Sequence, residues 1–163
     1  MALTTYTRAA DVRRASPDAV LSKGDSGNLK FVTSTKSVAS GAQNSTMKMA
    51  RIPSVARIAG ISRFHWDDLA SSGSPTVDIG IAPTEHNSFT ADADALNDGL
   101  DVATAAGNAA VIKDHANYGK MAWEFVSGLT SDPGGEVEIY VSIVDAASNA
   151  TGDMTLELAY TLD

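Results

Sequence analysis

Apolar and polar residues alternate along much of this chain from Leu29 onward. Because successive side chains of a strand point to opposite faces of a sheet, a period of two predicts a strand with one buried face. The clearest case is the segment 136–145, "EVEIYVSIVD", and the segments 76–82 and 155–163 repeat it. The predicted inner faces carry Val137, Ile139, Val141 and Ile143 in the first, Val77, Ile79 and Ile81 in the second, and Leu156, Leu158, Tyr160 and Leu162 in the third.

The order of these segments predicts particular connections. Segments 136–145 and 155–163 are separated by a short polar stretch, so we expect them to form a β-hairpin. The segment 54–69 has apolar residues in both registers and predicts one longer central strand. The segment 112–126 fits either a helix or a strand, and its glycine and aromatic residues favour a strand.

Turn-forming clusters divide the chain into about seven or eight strands, at 71–75, 82–87 and 131–136. A chain of 163 residues is long enough for one core, and no fixed repeat indicates a propeller or solenoid. We therefore predict an all-β protein: an antiparallel β-sandwich, jelly-roll-like, formed by residues 29–163. Residues 1–28 are polar and contain Pro and Gly, which predicts an extended N-terminal arm.

Charge is distributed unevenly between the two parts of the chain. Residues 1–64 carry ten Lys and Arg against three Asp, a net charge of +7, whereas residues 65–163 carry a net charge of −15. One interpretation is that the two sets neutralise each other within the fold; the other is a basic end that docks on an acidic partner. On the second interpretation Arg8, Arg13 and Arg14 form a docking arm.

An acidic segment, "ADADALNDGLDVATA", invites comparison with a calcium loop. Counted from Asp92, the loop requires an Asp or Asn at its fifth position and glycine at its sixth, but Leu96 and Asn97 stand there. We therefore predict no metal site. The segment is expected to be an acidic surface connection between strands that contacts the basic half of a neighbouring copy. Its acidic residues are Asp92, Asp94, Asp98 and Asp101.

Other chemical motifs are missing from the sequence. The three histidines do not have the spacing of zinc ligands, and neither a nucleophile elbow nor a Gly-rich phosphate loop is present. The chain contains no cysteine, no signal-like apolar segment and no run of about 18 apolar residues, so we expect no disulfide and no membrane partner. We predict a protein that is not an enzyme and has no cofactor and no specific nucleic-acid partner.

Three stretches occur in an order that resembles small structural proteins of tailed bacteriophages. They are "RIPSVARIAGISRFHWDDLASSGSPTVDIGIA", "DADALNDGLDVATA" and "GKMAWEFVSGLTSDPGGEVEIYVSIVDAASNATGDMTLELAYTL", which together span residues 51 to 162. The resemblance implies a virion structural protein assembled in the cytoplasm of a bacterial host. It favours a head decoration or cement protein that binds and bridges major capsid subunits, as a homotrimer or another cyclic oligomer.

Alternatives remain open at this stage. The resemblance also allows a neck or tail component. A receptor- or glycan-binding module would expose Trp66, Trp123 or the loops near His86, and an enzyme would bring Asp, Glu and His side chains together in one pocket.

Overall fold

The computed structural model describes residues 29–162, and Arg8, Arg13 and Arg14 of the predicted arm lie outside this range. The described chain forms nine strands and two short 3₁₀ turns. The strands are Leu29–Ala39 (β1), Thr46–Pro53 (β2), Arg57–Ile58 (β3), Arg63–Trp66 (β4), Thr76–Pro83 (β5), Asp92–Asp101 (β6), Gly107–Ala110 (β7), Glu136–Val144 (β8) and Thr151–Thr161 (β9). The 3₁₀ turns are His115–Asn117 and Ala122–Phe125.

These strands form two antiparallel sheets. Sheet A has the order β1-β9-β4-β7, with β3 also paired to β9, and sheet B has the order β2-β8-β5-β6. The pairings are nested in sequence, since β1 pairs with β9, β2 with β8, β4 with β7 and β5 with β6. A chain folded back on itself in this way and rolled into two sheets is a jelly roll. The predicted antiparallel, jelly-roll-like sandwich is therefore confirmed.

The core lies between the two sheets. The alternating residues of β8 and β5 that were predicted to face inward are all fully buried, as are Leu156 and Leu158 of β9. At about 25 cal/mol per Å² of apolar surface removed from water, each such side chain stabilises the fold by roughly 2 kcal/mol. The period of two in the sequence thus identifies the inner face of each sheet.

The predicted hairpin between the last two strands is wrong. β8 lies in sheet B, paired with β2 and β5, whereas β9 lies in sheet A, paired with β1, β3 and β4. Residues 145–150 cross from one sheet to the other. Both strands bury one face in the same core, and the alternating pattern is identical whether two strands pair side by side or face each other.

The predicted long strand over 54–69 is interrupted between β3 and β4. The hydroxyl of Ser62 accepts a hydrogen bond from the Ala159 N–H at 3.0 Å and donates to the Ala59 carbonyl at 2.7 Å. The ring of Tyr118 packs against Gly60, where a Cβ atom would lie 2.6 Å from it. A turn therefore occupies residues 59–62 and places Ile61 on the surface.

The segment 112–126, for which a strand was favoured, forms the two 3₁₀ turns instead. The side chain of Asp114 accepts a hydrogen bond from the Ala116 N–H at 2.9 Å, and Glu124 accepts one from the Met121 N–H at 2.6 Å. Such local side-chain bonds compete with strand pairing for the backbone donors. Among the described residues, no helix is long and apolar enough to cross a membrane.

Candidate functional site

The acidic segment is a strand, not the predicted connection between strands. β6 is an edge strand of sheet B and pairs with β5. Its register is irregular: Ile79 of β5 lies opposite Asn97, while Ile81 lies opposite Asp92. A step of two residues along β5 therefore corresponds to a step of five residues along β6. The additional residues of β6 cannot pair with β5, so the acidic strand bulges outward.

Gly80 makes this bulge possible. A Cβ atom at this position would lie 2.4 Å from the carbonyl oxygen of Asp92 and 2.6 Å from that of Ala93. Real side chains do not approach backbone atoms so closely, so only glycine allows the first part of β6 to lie against β5. The bulge brings Asp92 and Asp94 towards the outer face of sheet B.

Two of the four predicted acidic residues, Asp98 and Asp101, are each held by contacts of their own. Asp98 forms an ion pair with Lys113 at 3.0 Å. Asp101 accepts hydrogen bonds from the backbone and hydroxyl of Thr104, and these bonds lower the pKa of its carboxyl group. Among residues 29–162, no group of three or more His, Asp or Glu side chains is arranged to hold a metal ion.

Asp92 and Asp94 lie together on the bulge. A hydrogen bond between their side chains raises the pKa of Asp94, and the negative charges of Asp92 and Asp98 act in the same direction. Asp92 also accepts a hydrogen bond from the Ser127 N–H at 2.6 Å. The hydrogen bond requires one of the two carboxyl groups to hold a proton, which is why the pKa of Asp94 is raised.

A cleft of about 240 Å³ opens on the outer face of sheet B beside this bulge. We call it the sheet B cleft, and its lining residues are Thr46, Lys48, Ala82, Ala91, Glu138 and Tyr140. Lys48 and Glu138 form an ion pair at 2.6 Å in which the glutamate side chain is only 10% exposed. The cleft therefore combines small apolar side chains with one charge pair, of which the carboxylate is nearly buried and the lysine is exposed.

Tyr140 is the most distinctive residue of the sheet B cleft. It is only 9% exposed although it projects from the outer face of the sheet, and it lines the cleft. Burial raises the pKa of the Tyr140 phenol, and the charges of Asp92, Asp94 and Asp78 raise it further. Three acidic side chains, Asp78, Asp92 and Asp94, thus act electrostatically on the Tyr140 phenol.

The sequence pattern placed Glu138, Tyr140 and Ser142 on the outer face of β8 and gave no indication that they are buried there. Each is less than a tenth exposed. The burial depends on the bulge of β6 and on the neighbouring strand β2, which are distant in sequence. The one sequence signal for this burial was an aromatic residue, Tyr140, between the polar residues Glu138 and Ser142 on the predicted outer face.

A second unusual surface lies at the start of β1, the edge strand of sheet A. Phe31 is 66% exposed and Leu29 is 44% exposed, which places both among the exposed large hydrophobic residues of the described chain. Between them, Lys30 faces the other side of the strand, opposite Tyr160. We call residues 29–31 the β1 tip. Lys30 is itself exposed, and a charged side chain on an edge strand hinders its pairing with another chain.

Some of the basic residues are neutralised within the fold, as one of the two interpretations of the charge division expected. Besides the Lys48 ion pair, Arg51 donates two hydrogen bonds to the carboxylate of Glu85, at 2.8 and 3.0 Å. Among residues 29–162, neither Lys30 nor Lys36 of β1 forms an ion pair. The β1 strand therefore carries cationic charge that is available to a partner.

The histidines do not converge on a pocket. His65 lies 3.2 Å from Glu157 on sheet A, His86 lies 3.4 Å from Glu85 in the turn after β5, and His115 is in the first 3₁₀ turn. This distribution gives no support to the enzyme alternative.

The two tryptophans do not form an open platform. Trp66 packs against Phe64, with 5.9 Å between ring centroids, and donates to the Ala105 carbonyl. Trp123 donates to the sulfur of Met121 at 3.4 Å. Neither tryptophan is among the exposed large hydrophobics of the described chain, so these two residues give no support to the glycan-binding alternative, whereas the side chain of His86 is 65% exposed.

The two nested sheets define the class of the fold, a jelly-roll β-sandwich. Among solved structures, the chain is similar to a chain of the structure titled "Cyanophage Pam1 capsid asymmetric unit". The TM-score is 0.50 with 16% sequence identity, over 84% of this chain and 86% of that chain. At this identity the likeness is one of fold. No protein-family model and no curated protein matches the sequence.

Proposed function

We propose that this chain is a structural protein of a bacteriophage virion, acting as a head decoration or cement protein that binds and bridges major capsid subunits. The observation that carries the proposal is the likeness of fold to a chain in a cyanophage capsid, which extends over most of both chains. The motifs in residues 51–162 that resemble phage structural proteins support it independently, because they rest on sequence order and not on fold.

Two surfaces have roles in this proposal. The arm, with Arg8, Arg13 and Arg14, docks on the major capsid protein, and the acidic residues of β6 face a neighbouring copy of the chain. Opposite charge on partner surfaces steers association and fixes its orientation, so a polarised chain suits repeated docking on a lattice. The proposal requires no catalytic residue and no cofactor.

Binding to capsids tests the proposal. Full-length protein is incubated with expanded empty capsids that lack it, and the bound fraction is measured after sedimentation. We expect saturable binding with a fixed ratio to the major capsid protein. Failure to bind to such capsids, at any maturation state, would contradict the decoration role.

Deletion of residues 1–28 tests the arm separately. The β-sandwich begins at Leu29, so the deletion leaves every described strand intact. A matched variant, Arg8→Ala with Arg13→Ala and Arg14→Ala, keeps the arm but removes the charges that were assigned to docking. Both variants are expected to bind capsids at least tenfold more weakly than the full chain. Unchanged binding by both would show that the arm does not dock.

A further inference from the structure

The strand β1 has one edge that no described strand covers. It pairs with β9 along all 11 of its residues, and among residues 29–162 no other strand pairs with it. In the β1 tip, Phe31 lies opposite the small residue Ala159, and its ring is 66% exposed. A long edge strand with an exposed aromatic residue is a place where a sheet can accept one more strand.

The backbone groups of Phe31 point towards this open edge. On β9, the Ala159 N–H donates to the hydroxyl of Ser62, and the Ala159 carbonyl accepts from the Ala59 N–H. Both backbone groups of Ala159 therefore point away from β1. Residues directly opposite each other in an antiparallel pair exchange either both hydrogen bonds or none. Phe31, and with it every second residue of β1, thus directs its N–H and carbonyl groups away from β9.

The sequence immediately before β1 has the pattern of a strand followed by a turn. Residues 18–23, "DAVLSK", contain three consecutive apolar residues and are preceded by Pro17. Residues 24–28, "GDSGN", are turn-forming and lead directly into Leu29. Two segments of strand pattern joined by five residues that include glycine are typical of a β-hairpin.

We propose that residues 18–23 form a β-hairpin with β1 of the same chain and extend sheet A by one strand. With a five-residue loop over 24–28, Leu21 lies opposite Phe31, and Val20 lies opposite Val32. Leu21 then covers the ring of Phe31 on the outer face of the sheet. The N–H and carbonyl groups of Phe31, which point to the open edge, pair with those of Leu21.

This register matches the apolar positions of β1. Phe31 is exposed and Val32 is only partly buried against the core, so both side chains have apolar surface left to bury. A shift of one residue in either direction places Leu21 opposite Lys30 or Val20 opposite Thr33. Because such a shift also moves every side chain to the other face, the apolar match selects one register.

The polar residues at the far end of the hairpin fit the same register. Asp18 lies opposite Ser34 and is a diagonal neighbour of Lys36, which forms no ion pair among residues 29–162. Diagonal neighbours in a sheet are within reach of a long side chain such as lysine. Pro17 marks the end of the added strand, since proline is tolerated at the first position of an edge strand.

The position of residues 18–23 in the chain favours them over a second copy as the occupant. Only five residues separate them from Leu29, so they meet the open edge at an effective concentration on the order of millimolar. A second copy lacks this advantage. The exposed lysines Lys30 and Lys36 also hinder pairing of β1 with another chain.

Amide hydrogen exchange of the full-length protein, measured by NMR, tests the pairing. In the wild type, we expect the amides of Phe31 and Thr33 to exchange slowly, because they bond to the added strand. Leu21→Pro removes a backbone donor from that strand and should speed exchange at both amides by about tenfold or more. Leu3→Pro is the matched control, since it places proline outside the proposed strand, and it should leave both rates unchanged.

A cysteine pair tests the register. Leu21→Cys with Phe31→Cys joins two positions that face each other in the hairpin, and the chain has no other cysteine. Leu21→Cys with Thr35→Cys is the matched control, four residues further along the same face of β1. In a glutathione redox buffer, the equilibrium constant for the intramolecular disulfide should be about tenfold or more higher for the first pair. The longer loop of the control accounts for less than about twofold.

Each part of the inference has a result that would overturn it. Amides of Phe31 and Thr33 that exchange as fast in the wild type as in Leu21→Pro would show that the edge of β1 stays open. Equal oxidation of the two cysteine pairs would refute the register. Disulfide-linked dimers in place of the intramolecular bond would identify a second copy as the occupant. Circular dichroism of every variant checks that the sandwich remains folded.

The hairpin goes beyond the proposed function and does not rest on it. Arg8, Arg13 and Arg14 all precede Pro17, so they stay in the arm, which leaves the sandwich beside the middle of β1. A hairpin in a protein that fails to bind capsids would refute the decoration role alone. Capsid binding by a protein with an open β1 edge would refute the hairpin alone.

Discussion

At the scale of single residues, the surroundings of a few polar groups determine how substitution or a change of pH alters the stability of the fold. The hydroxyl of Thr161, at the end of β9, is buried and has no hydrogen-bond partner in the described chain. Thr155, on the same strand, has its hydroxyl 2.9 Å from that of Thr35 on β1. The two side chains are chemically identical, but only the hydroxyl of Thr155 has a hydrogen-bond partner.

Replacing each of them by valine is expected to have opposite effects. Thr161→Val removes an unsatisfied buried polar atom without changing the size of the side chain, and should raise the free energy of unfolding by about 1 kcal/mol. Thr155→Val removes a hydrogen bond and should lower it by roughly 0.5 kcal/mol or more. Urea denaturation of the three proteins provides the comparison. A loss of stability in Thr161→Val would mean that its hydroxyl has a partner.

Glu85 gives a prediction about pH. The hydrogen bonds and charge of Arg51 lower the pKa of Glu85 from 4.5 to about 2 in the folded protein. A group whose folded pKa is depressed stabilises the fold above its unfolded pKa, and the contribution is lost as pH falls. The loss therefore occurs between about pH 4.5 and pH 2. Both side chains are exposed, so we expect a small effect on stability.

Substitution of Arg51 by Gln tests this directly. In the variant, the pKa of Glu85 is expected to return towards its ordinary value of 4.5, as measured by NMR titration of the side-chain carboxyl carbon. Lys48→Gln is the control, because Lys48 pairs with Glu138 and not with Glu85. An unchanged pKa of Glu85 in Arg51→Gln would show that the pair does not form.

At the scale of strands, the sequence predicted which face of a strand is buried better than it predicted which strands pair with each other. The inner faces of β5, β8 and β9 follow from alternation, because alternation records only which side of a strand is buried. The pairing of β8 with β2 and β5 depends on contacts across the chain, and the short loop before β9 gave a false indication of a hairpin. Local side-chain bonds at Ser62, Asp114 and Glu124 ended strands that apolar content alone had favoured.

The candidate site was also only partly predictable, because it depends on contacts between segments that are distant in the sequence. The acidic residues of β6 were visible in the sequence, but the bulge that carries Asp92 and Asp94 requires the close approach at Gly80. The cleft beside it combines residues from β2, β5 and β8 with Ala91. Because no single segment of the sequence contains all the residues of the cleft, the burial of Tyr140 could not be predicted.

A designed disulfide tests the corrected connection of β9. Thr35 of β1 and Thr155 of β9 lie directly opposite each other, and the native chain has no cysteine. Thr35→Cys with Thr155→Cys is expected to form an intramolecular disulfide on oxidation and to stabilise the fold by about 4 kcal/mol relative to the reduced form, because the closed loop is long. The measurement is thiol titration followed by denaturation.

The control pair places cysteines on the two strands once expected to form a hairpin. Ser142→Cys with Thr155→Cys joins β8 and β9 on the outer faces of opposite sheets, so no disulfide should form. Rapid and complete oxidation of this pair, with none in the first, would contradict the jelly-roll pairing.

At the scale of the whole molecule, the protein combines a sandwich of ordinary construction with an uneven distribution of charge. The described basic residues are used partly inside the fold, at Lys48 and Arg51, while β1 and the acidic bulge retain charges for partners. The division of charge in the sequence is therefore only partly neutralised within the described fold.

The measurement that tests the proposed function most directly is the position of this chain in a reconstruction of the virion that encodes it. The proposed function predicts density for the described sandwich at regular positions over the outside of the head, with contacts to more than one major capsid subunit at each position. Density confined to the neck or tail would contradict the decoration role, and absence of the chain from purified particles would contradict the virion role altogether.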